Sequence, residues 1–319
     1  MGTENYGRLD PDTGLHTRLQ DFIACLSFAV DTALEEHVGL VIFTGDAYRT
    51  CDPNPTHQRA LASQFKRFSD AGIPVVMIVG NHDNAVSFGK ASSLDIFNTL
   101  GPGHVRVISK PESICVETQG GPVQVACLPW PMKHNLLTRD AYKDLSDVDV
   151  RIRIEEICAD IIRSFADEAD PLNPCILAAH VAATDARLSG TERAAVIGHE
   201  PTILTSILAN SAFDYVALGH VHRHQDLNPS GNPHVVYPGS IERVDFGEEQ
   251  EKRGFCIVEI EKKGSASFRF VESPARPFVT VEVGADGVDD PTSAILKRIQ
   301  SVDIEDAIVR VLYSVEEER

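Results

Sequence analysis

The sequence has no CxxC pair, no basic run, no long apolar stretch, no internal repeat and no low-complexity tract. Each absence narrows the reading. Seven cysteines (Cys25, Cys51, Cys115, Cys127, Cys158, Cys175, Cys256) stand singly, and an odd, scattered set does not suit a disulfide framework. Several lie in apolar runs, such as Cys127 in VQVACLP and Cys175 in PCILAAH, so reduced, buried thiols in a cytosolic protein are expected. No apolar run approaches the roughly 20 residues that span a bilayer, and no signal-peptide pattern opens the chain. Cations are outnumbered, 29 Lys+Arg against 47 Asp+Glu, for a formal net charge of −18. A polyanion would be repelled by that mean field, so a nucleic-acid substrate would need divalent cations or a basic partner to supply the attraction.

What is present is a set of polar motifs, each just after an apolar strand-like run. Gly45-Asp46 follows LVIFT, Gly80-Asn81-His82-Asp83 follows PVVMIV, His180 follows CILAA, and Gly219-His220-Val221-His222 follows DYVAL. Ends of buried strands are where an open α/β sheet places its active site. The 319 residues suffice for one large core and a small satellite domain.

Periodicity supplies the frame. Residues 17–37 carry Leu19, Phe22, Ile23, Leu26, Val30, Ala33 and Leu34 at helical intervals. Gly39 to Thr44 is short and uniformly apolar, as a buried parallel strand should be. A helix over Pro55 to Ala71, with Leu61, Phe65 and Phe68 inward, leads to a strand at Ile73–Val79, completing a strand-helix-strand unit. A short helix near Leu94–Leu100 and three β segments (HVRVIS, SICVET, VQVACLP) follow. Then come a helix over 148–167 and a strand at Cys175–Ala179, and Glu200–Leu208 reads as helical. Strands are expected at Tyr215–Leu218, His234–Tyr237, Gly254–Ile260 and Ser267–Val271. Beyond Pro274–Pro277, Phe278–Val283, Pro291–Ile299 and Ala307–Tyr313 read as a βαβ fragment that ends at Glu316-Glu317-Glu318-Arg319.

Oxygen and nitrogen ligands without thiolates suit Mn²⁺, Fe²⁺, Mg²⁺ or Zn²⁺. The carboxylate of Asp46 has two oxygens and can bridge two ions; Asn81 offers an amide oxygen, and His180, His220 and His222 offer imidazoles. Two ions about 3.5–4 Å apart clamp both oxygens of an in-line phosphoryl displacement and acidify a water. His82, beside a ligand, is then the candidate general acid for the leaving alkoxide. Alternate residues of an extended chain project to one face, which gives His220 and His222 a shared ligand role. Gly45, Gly80 and Gly219 read as sites of sharp turning. Taken singly, Asp46 could cap a helix, Asn81 could be a turn residue and His180 a hydrogen-bonded core histidine. His16, His37, His57, His104, His134, His199, His224 and His234 read as ordinary surface or core residues, with His224 and Arg223 left open as substrate-facing.

These motifs resemble the calcineurin-like metallophosphoesterase superfamily. Within it, YPGSIERVDFGEE (Tyr237–Glu249), RGF (Arg253–Phe255) and the opening TENYGRLDPDTGLHTRLQDF resemble the nuclease subunit (SbcD-type) of bacterial SbcCD DNA repair complexes. The resemblance implies an α/β fold, a four-layer α-β-β-α sandwich over residues 1–275, with a small, partial C-terminal α+β capping domain over 276–319. It implies two divalent metal ions, usually Mn²⁺, with Asp46 bridging, Asn81, His180 and His220 on the second ion, His222 on the first, and His82 catalytic. It further implies DNA as substrate, 3′-to-5′ exonuclease and endonuclease activity, an SMC-like ATPase partner (SbcC-type) and a homodimer within a heterotetramer. The family begins with an apolar strand ending in Asp-x-His, and no such strand precedes Gly45-Asp46 here. A start assigned too late, or a fragment, is the expectation. A small-molecule phosphodiesterase and a catalytically impaired scaffold subunit are the alternatives.

Overall fold

A computed structural model describes residues 1–84, 90–100, 104–132, 145–189, 200–284 and 290–314. In chain order the first half runs α1 (Thr17–Glu35), β1 (Val41–Phe43), α2 (Pro55–Asp70), β2 (Val75–Ile78), α3 (Asp95–Leu100), β3 (Val105–Ile108), β4 (Glu112–Thr118) and β5 (Gly121–Leu128). There follow α4 (Asp147–Asp167), β6 (Cys175–His180), β7 (Ala182–Ala183), β8 (Thr202–Ile203), α5 (Thr205–Leu208), β9 (Tyr215–Gly219), β10 (Gln225–Asp226) and β11 (His234–Tyr237). The chain closes with β12 (Gly254–Lys262), β13 (Ser265–Glu272), β14 (Phe278–Gly284), α6 (Pro291–Gln300) and β15 (Ile308–Ser314).

The helices begin where local chemistry satisfies their free N–H groups. Asn54 accepts from the His57 amide ahead of Pro55, whose missing N–H costs nothing at the first helical position. Ser146 accepts from the Asp149 amide, and Asp147 and Asp149 place negative charge against the N-terminal dipole of α4.

Two sheets form the centre. One has the order β1-β2-β3; the other has the order β10-β11-β9-β6-β5-β4. Strands β1, β2 and β3 are parallel, as are β11, β9, β6 and β5, with β10 and β4 added antiparallel at the edges. Strand β2 is buried on both faces, and its alternation assigns them. Val76 and Ile78 pack with Ile108, Val125, Cys127 and Ala178 between the sheets. Val75 and Met77 point the other way, into a core with Val30, Leu61, Phe65 and Phe68 from α1 and α2. Leu177 and Ala179 of β6 likewise meet Ile154, Cys158 and Ile162 of α4. The layers are therefore helix, sheet, sheet, helix, the four-layer α-β-β-α sandwich expected. The β12–β13 hairpin extends the inner layer, where Val258, Ile260, Ala266 and Phe268 pack on Ile176, Tyr215 and Val236.

The parallel pair β14–β15 with α6 is the βαβ unit anticipated after Pro277. One element differs. Glu200–Leu208 is not a helix throughout: Thr202–Ile203 pairs in parallel with Ala182–Ala183, and only Thr205–Leu208 is helical. Pro201 holds the preceding residue out of the helical region, and the Thr202 amide donates to the Glu155 carboxylate instead of to a helical carbonyl. The acidic end at 316–319 lies outside the described residues. No helix among the described residues is long and apolar enough to cross a membrane.

Candidate metal centre

Five parallel strands from the two sheets deliver polar residues to the same end of the sandwich. Asp46 follows β1, Asn81 and His82 follow β2, Trp130 follows β5, His180 ends β6, and His220 and His222 follow β9. Three hydrogen bonds tie the sheets together there. The His180 ring donates through Nδ1 to the Thr44 carbonyl at 2.6 Å, the Thr44 hydroxyl donates to the Leu218 carbonyl at 3.3 Å, and the Trp130 amide donates to the Val79 carbonyl at 3.0 Å.

That first bond decides what His180 can do. With the proton on Nδ1, Nε2 carries the lone pair. It lies 3.0 Å from Asn81 Oδ1 and 3.2 Å from Asp46 Oδ2. His220 Nδ1 is 3.2 Å from the same Asn81 oxygen. Ligand atoms of Asp46, His180 and His220 all lie within 4.8 Å of one another. A carboxylate, an amide oxygen and two imidazoles, with no thiolate, form a donor set that fits a borderline or hard divalent cation. Glu200 Oε2 stands 2.9 Å from His220 Nε2, although neither atom completes a hydrogen bond of ordinary geometry.

Close approach, more than turning, explains the glycines. Only Gly45 among the three has a left-handed φ, +99°. A Cβ on Gly80 would sit 2.2 Å from Asp46 Oδ1, and one on Gly219 would sit 1.9 Å from the Thr44 carbonyl oxygen. Asp46 and His220 themselves adopt positive φ, 58° and 95°, unusual for residues with a side chain.

The carboxylate of the GNHD turn is structural. Asp83 is fully buried and accepts from the Asp46 amide at 2.7 Å and the Gly80 amide at 3.1 Å, stapling the two ligand-bearing turns together. Burial, then the nearby Asp46 charge, pushes its carboxyl up to about 6. Burial would raise Asp46 too, but the charge and hydrogen bond of His180, with His82, outweigh it and hold Asp46 well below the usual carboxylate range. For His180 burial opposes protonation, and the Asp46 charge overcomes it, raising the imidazole above its ordinary value.

Of the predicted site residues, Asp46, Asn81, His180 and His220 are brought together. His82 is exposed, its amide donating to Asp46 Oδ1 at 3.0 Å and its Nδ1 to the Arg49 carbonyl at 2.8 Å. His222 lies outside the cluster of ligand atoms within 4.8 Å, and its Nδ1 meets Glu248 Oε1 at 2.8 Å. The regular extended repeat stops before this pair, since β9 ends at Gly219 and His220 has a positive φ. Asp46 caps no helix, since Asn54 caps α2. His16 and His57 are tied up locally, His224 stacks on Phe270, and His234 pairs with Asp226; His134 and His199 lie outside the described residues.

Three contributors were not anticipated. Trp130 tilts over His220 with ring centroids 5.0 Å apart and meets His180 edge-on at 6.0 Å. The LPW ending of β5, on the strand beside β6, is the signal that could have marked it. Glu200 and Glu248 come from loops, with no strand-end signature to announce them.

The family model for calcineurin-like phosphoesterase matches residues 15–224. Among relatives, the uncharacterized metallophosphoesterase YhaO of Bacillus subtilis is 26% identical over 249 residues, covering 77% of this chain and 51% of its own. The DNA double-strand break repair protein Mre11 of Haloferax volcanii is 28% identical over 294 residues, covering 92% of this chain and 56% of its own. The SbcD subunit of nuclease SbcCD from Staphylococcus epidermidis is 26% identical over 250 residues, covering 78% of this chain and 62% of its own. The chain thus spans between 51% and 62% of the length of these relatives.

Proposed function

The chain belongs to the calcineurin-like phosphoesterase family, and from that premise we propose that it is the catalytic part of a DNA nuclease of the SbcD and Mre11 kind. The reaction is metal-dependent hydrolysis of phosphodiester bonds, exonucleolytic and endonucleolytic, in double-strand-break repair. The observation that carries the reading is the meeting of Asp46, His180 and His220 ligand atoms within 4.8 Å, from strands of two different sheets. The names of relatives, a double-strand break repair protein and a nuclease subunit, support DNA as the substrate.

In this reading Asp46, Asn81, His180 and His220 would hold one cation, and Asp46 with His222 would serve the other; Mn²⁺ is the ion proposed. Bound cations polarise the phosphoryl oxygens and lower the pKa of the attacking water. The residues of the chain do the rest. Thr44 and Asp83 hold the ligands in place before substrate arrives, so no reorganisation is needed during the reaction. His82, held through Nδ1–H to the Arg49 carbonyl, acts from its doubly protonated form: Nε2–H gives its proton to the leaving alkoxide and the ring is left neutral with Nδ1–H retained. Residues 1–275 form the nuclease domain and 276–319 part of a capping domain. DNA, an SMC-like ATPase and a second copy of the subunit are the proposed partners.

The net charge of −18 favours a second substrate class, small phosphodiesters, which do not carry the extended charge of a polymer. The full chain with Mn²⁺ is assayed on linear duplex DNA and on bis-p-nitrophenyl phosphate, with and without an SMC-like ATPase. Cleavage of both substrates is expected. Hydrolysis of the small ester alone, under both conditions, would defeat the nuclease assignment.

A further inference from the structure

Glu248 is 1% exposed, sits in the 3₁₀ turn Phe246–Glu248, and lies 26 residues beyond the histidine it touches. Its two oxygens have separate duties. Oε2 accepts from the Val244 amide at 2.7 Å and faces Arg253 Nη2 at 3.3 Å. Oε1 faces His222 Nδ1 at 2.8 Å. The same loop also grips the His222 main chain, whose carbonyl accepts from the Ser240 amide at 3.0 Å and from Arg253 Nη1. Arg253 is itself 2% exposed and bonded to Ser240 and Glu251, so the clamp is anchored in the interior.

We propose that Glu248 is a positioning residue that fixes the ring of His222 and sets its tautomer, Nδ1–H, so that Nε2 is the nitrogen offered as a ligand. An ionised carboxylate can only accept, so the proton of a neutral ring must lie on the nitrogen that faces it. An isolated neutral imidazole prefers the opposite tautomer, Nε2–H, which would block coordination through that atom. The role parallels that of the Thr44 carbonyl toward His180, with a charged acceptor in place of a neutral one. It rests on the proposed function in one respect, that His222 is a metal ligand.

The test begins with metal-free, full-length protein labelled with ¹⁵N-histidine. Long-range ¹H–¹⁵N spectra at pH 8 report the tautomer of each ring, with His222 assigned by the loss of its signals in His222→Asn. Wild-type His222 is expected as Nδ1–H. Glu248→Gln keeps an acceptor oxygen and retains that form, whereas Glu248→Ala reverts to Nε2–H while His180 stays Nδ1–H. Nε2–H at His222 in the wild type overturns the proposal without any variant having to fold. An unchanged Nδ1–H in folded Glu248→Ala overturns it as well.

Mn²⁺ binding, followed by electron paramagnetic resonance, supplies the second reading. Glu248→Ala should lose affinity by about 10–100-fold at one site, with Glu248→Gln losing less. Equal affinity in all three proteins overturns the positioning role. Absence of binding to the wild type would instead remove the ligand assignment of His222, an outcome separable from the tautomer result.

Discussion

At Gly80 a single methyl group separates a working site from a broken one. Its Cβ would fall 2.2 Å from Asp46 Oδ1, 2.5 Å from the Asp46 amide nitrogen and 2.8 Å from His180 Cε1. Gly80→Ala must therefore push a ligand aside, and a misplacement near 1 Å costs roughly 100-fold in rate. Mn²⁺-dependent hydrolysis of bis-p-nitrophenyl phosphate should fall by about that factor with the circular dichroism spectrum retained; unaltered turnover would mean the backbone is looser than described. His82 and Asp46 separate in the same assay. His82→Ala should keep Mn²⁺ affinity and lose about 10²–10⁴-fold in turnover, whereas Asp46→Ala should lose both binding and turnover. Full turnover in His82→Ala would remove the general-acid assignment.

At the scale of elements, the molecule depends on buried carboxylates that fasten one segment to another. Asp214, 1% exposed, accepts from the Cys175 amide at 2.6 Å and from the Gly264 amide, and faces Lys263 Nζ at 3.2 Å. It thus joins the start of β6 to the turn of the β12–β13 hairpin. Removing it leaves the Cys175 amide buried without that acceptor, so Asp214→Ala should destabilise by about 3 kcal/mol, the order of one or two charge-assisted bonds. Urea unfolding measures this, and a midpoint unchanged from wild type would show the fastening to be dispensable. Arg18, Asp21 and Arg276 fasten in the same way: Asp21 accepts from Arg18 Nη1 at 2.6 Å and from Arg276 Nη2 at 2.6 Å, joining α1 to the segment before β14.

For the whole molecule, the candidate ligands come from strand ends separated by long stretches of chain, so a cation bound among them should stabilise the folded state. Mass action gives about 2.7 kcal/mol when the free ion is about 100 times its dissociation constant. Thermal unfolding should therefore shift upward with Mn²⁺, reverse with chelator, and not shift in Asp46→Ala. The sole tryptophan supplies an independent signal, because Trp130 lies within 5.0 and 6.0 Å of the rings of His220 and His180. Its emission should be quenched by Mn²⁺ over the same concentration range, and a thermal shift without quenching would place the ion elsewhere.

The sequence by itself determined nearly every strand and helix and the placing of Asp46, Asn81, His180 and His220 at strand ends, whereas the four-layer sandwich was implied by the family resemblance of its motifs. Local periodicity and strand-end turns write the former in residues close together along the chain. Tertiary structure alone decided three other things. It gave His220 a positive φ, a backbone choice that leaves no mark in residue type, and left His222 outside the group of ligand atoms within 4.8 Å. It made Thr202–Ile203 a strand, because the partner Ala182–Ala183 lies about twenty residues earlier. It chose the ring nitrogens, since Thr44 meets His180 across 136 residues and Glu248 meets His222 across 26. Which atom bears a proton depends on what stands opposite it in space, and only the packing of the two sheets and the returning loop sets that.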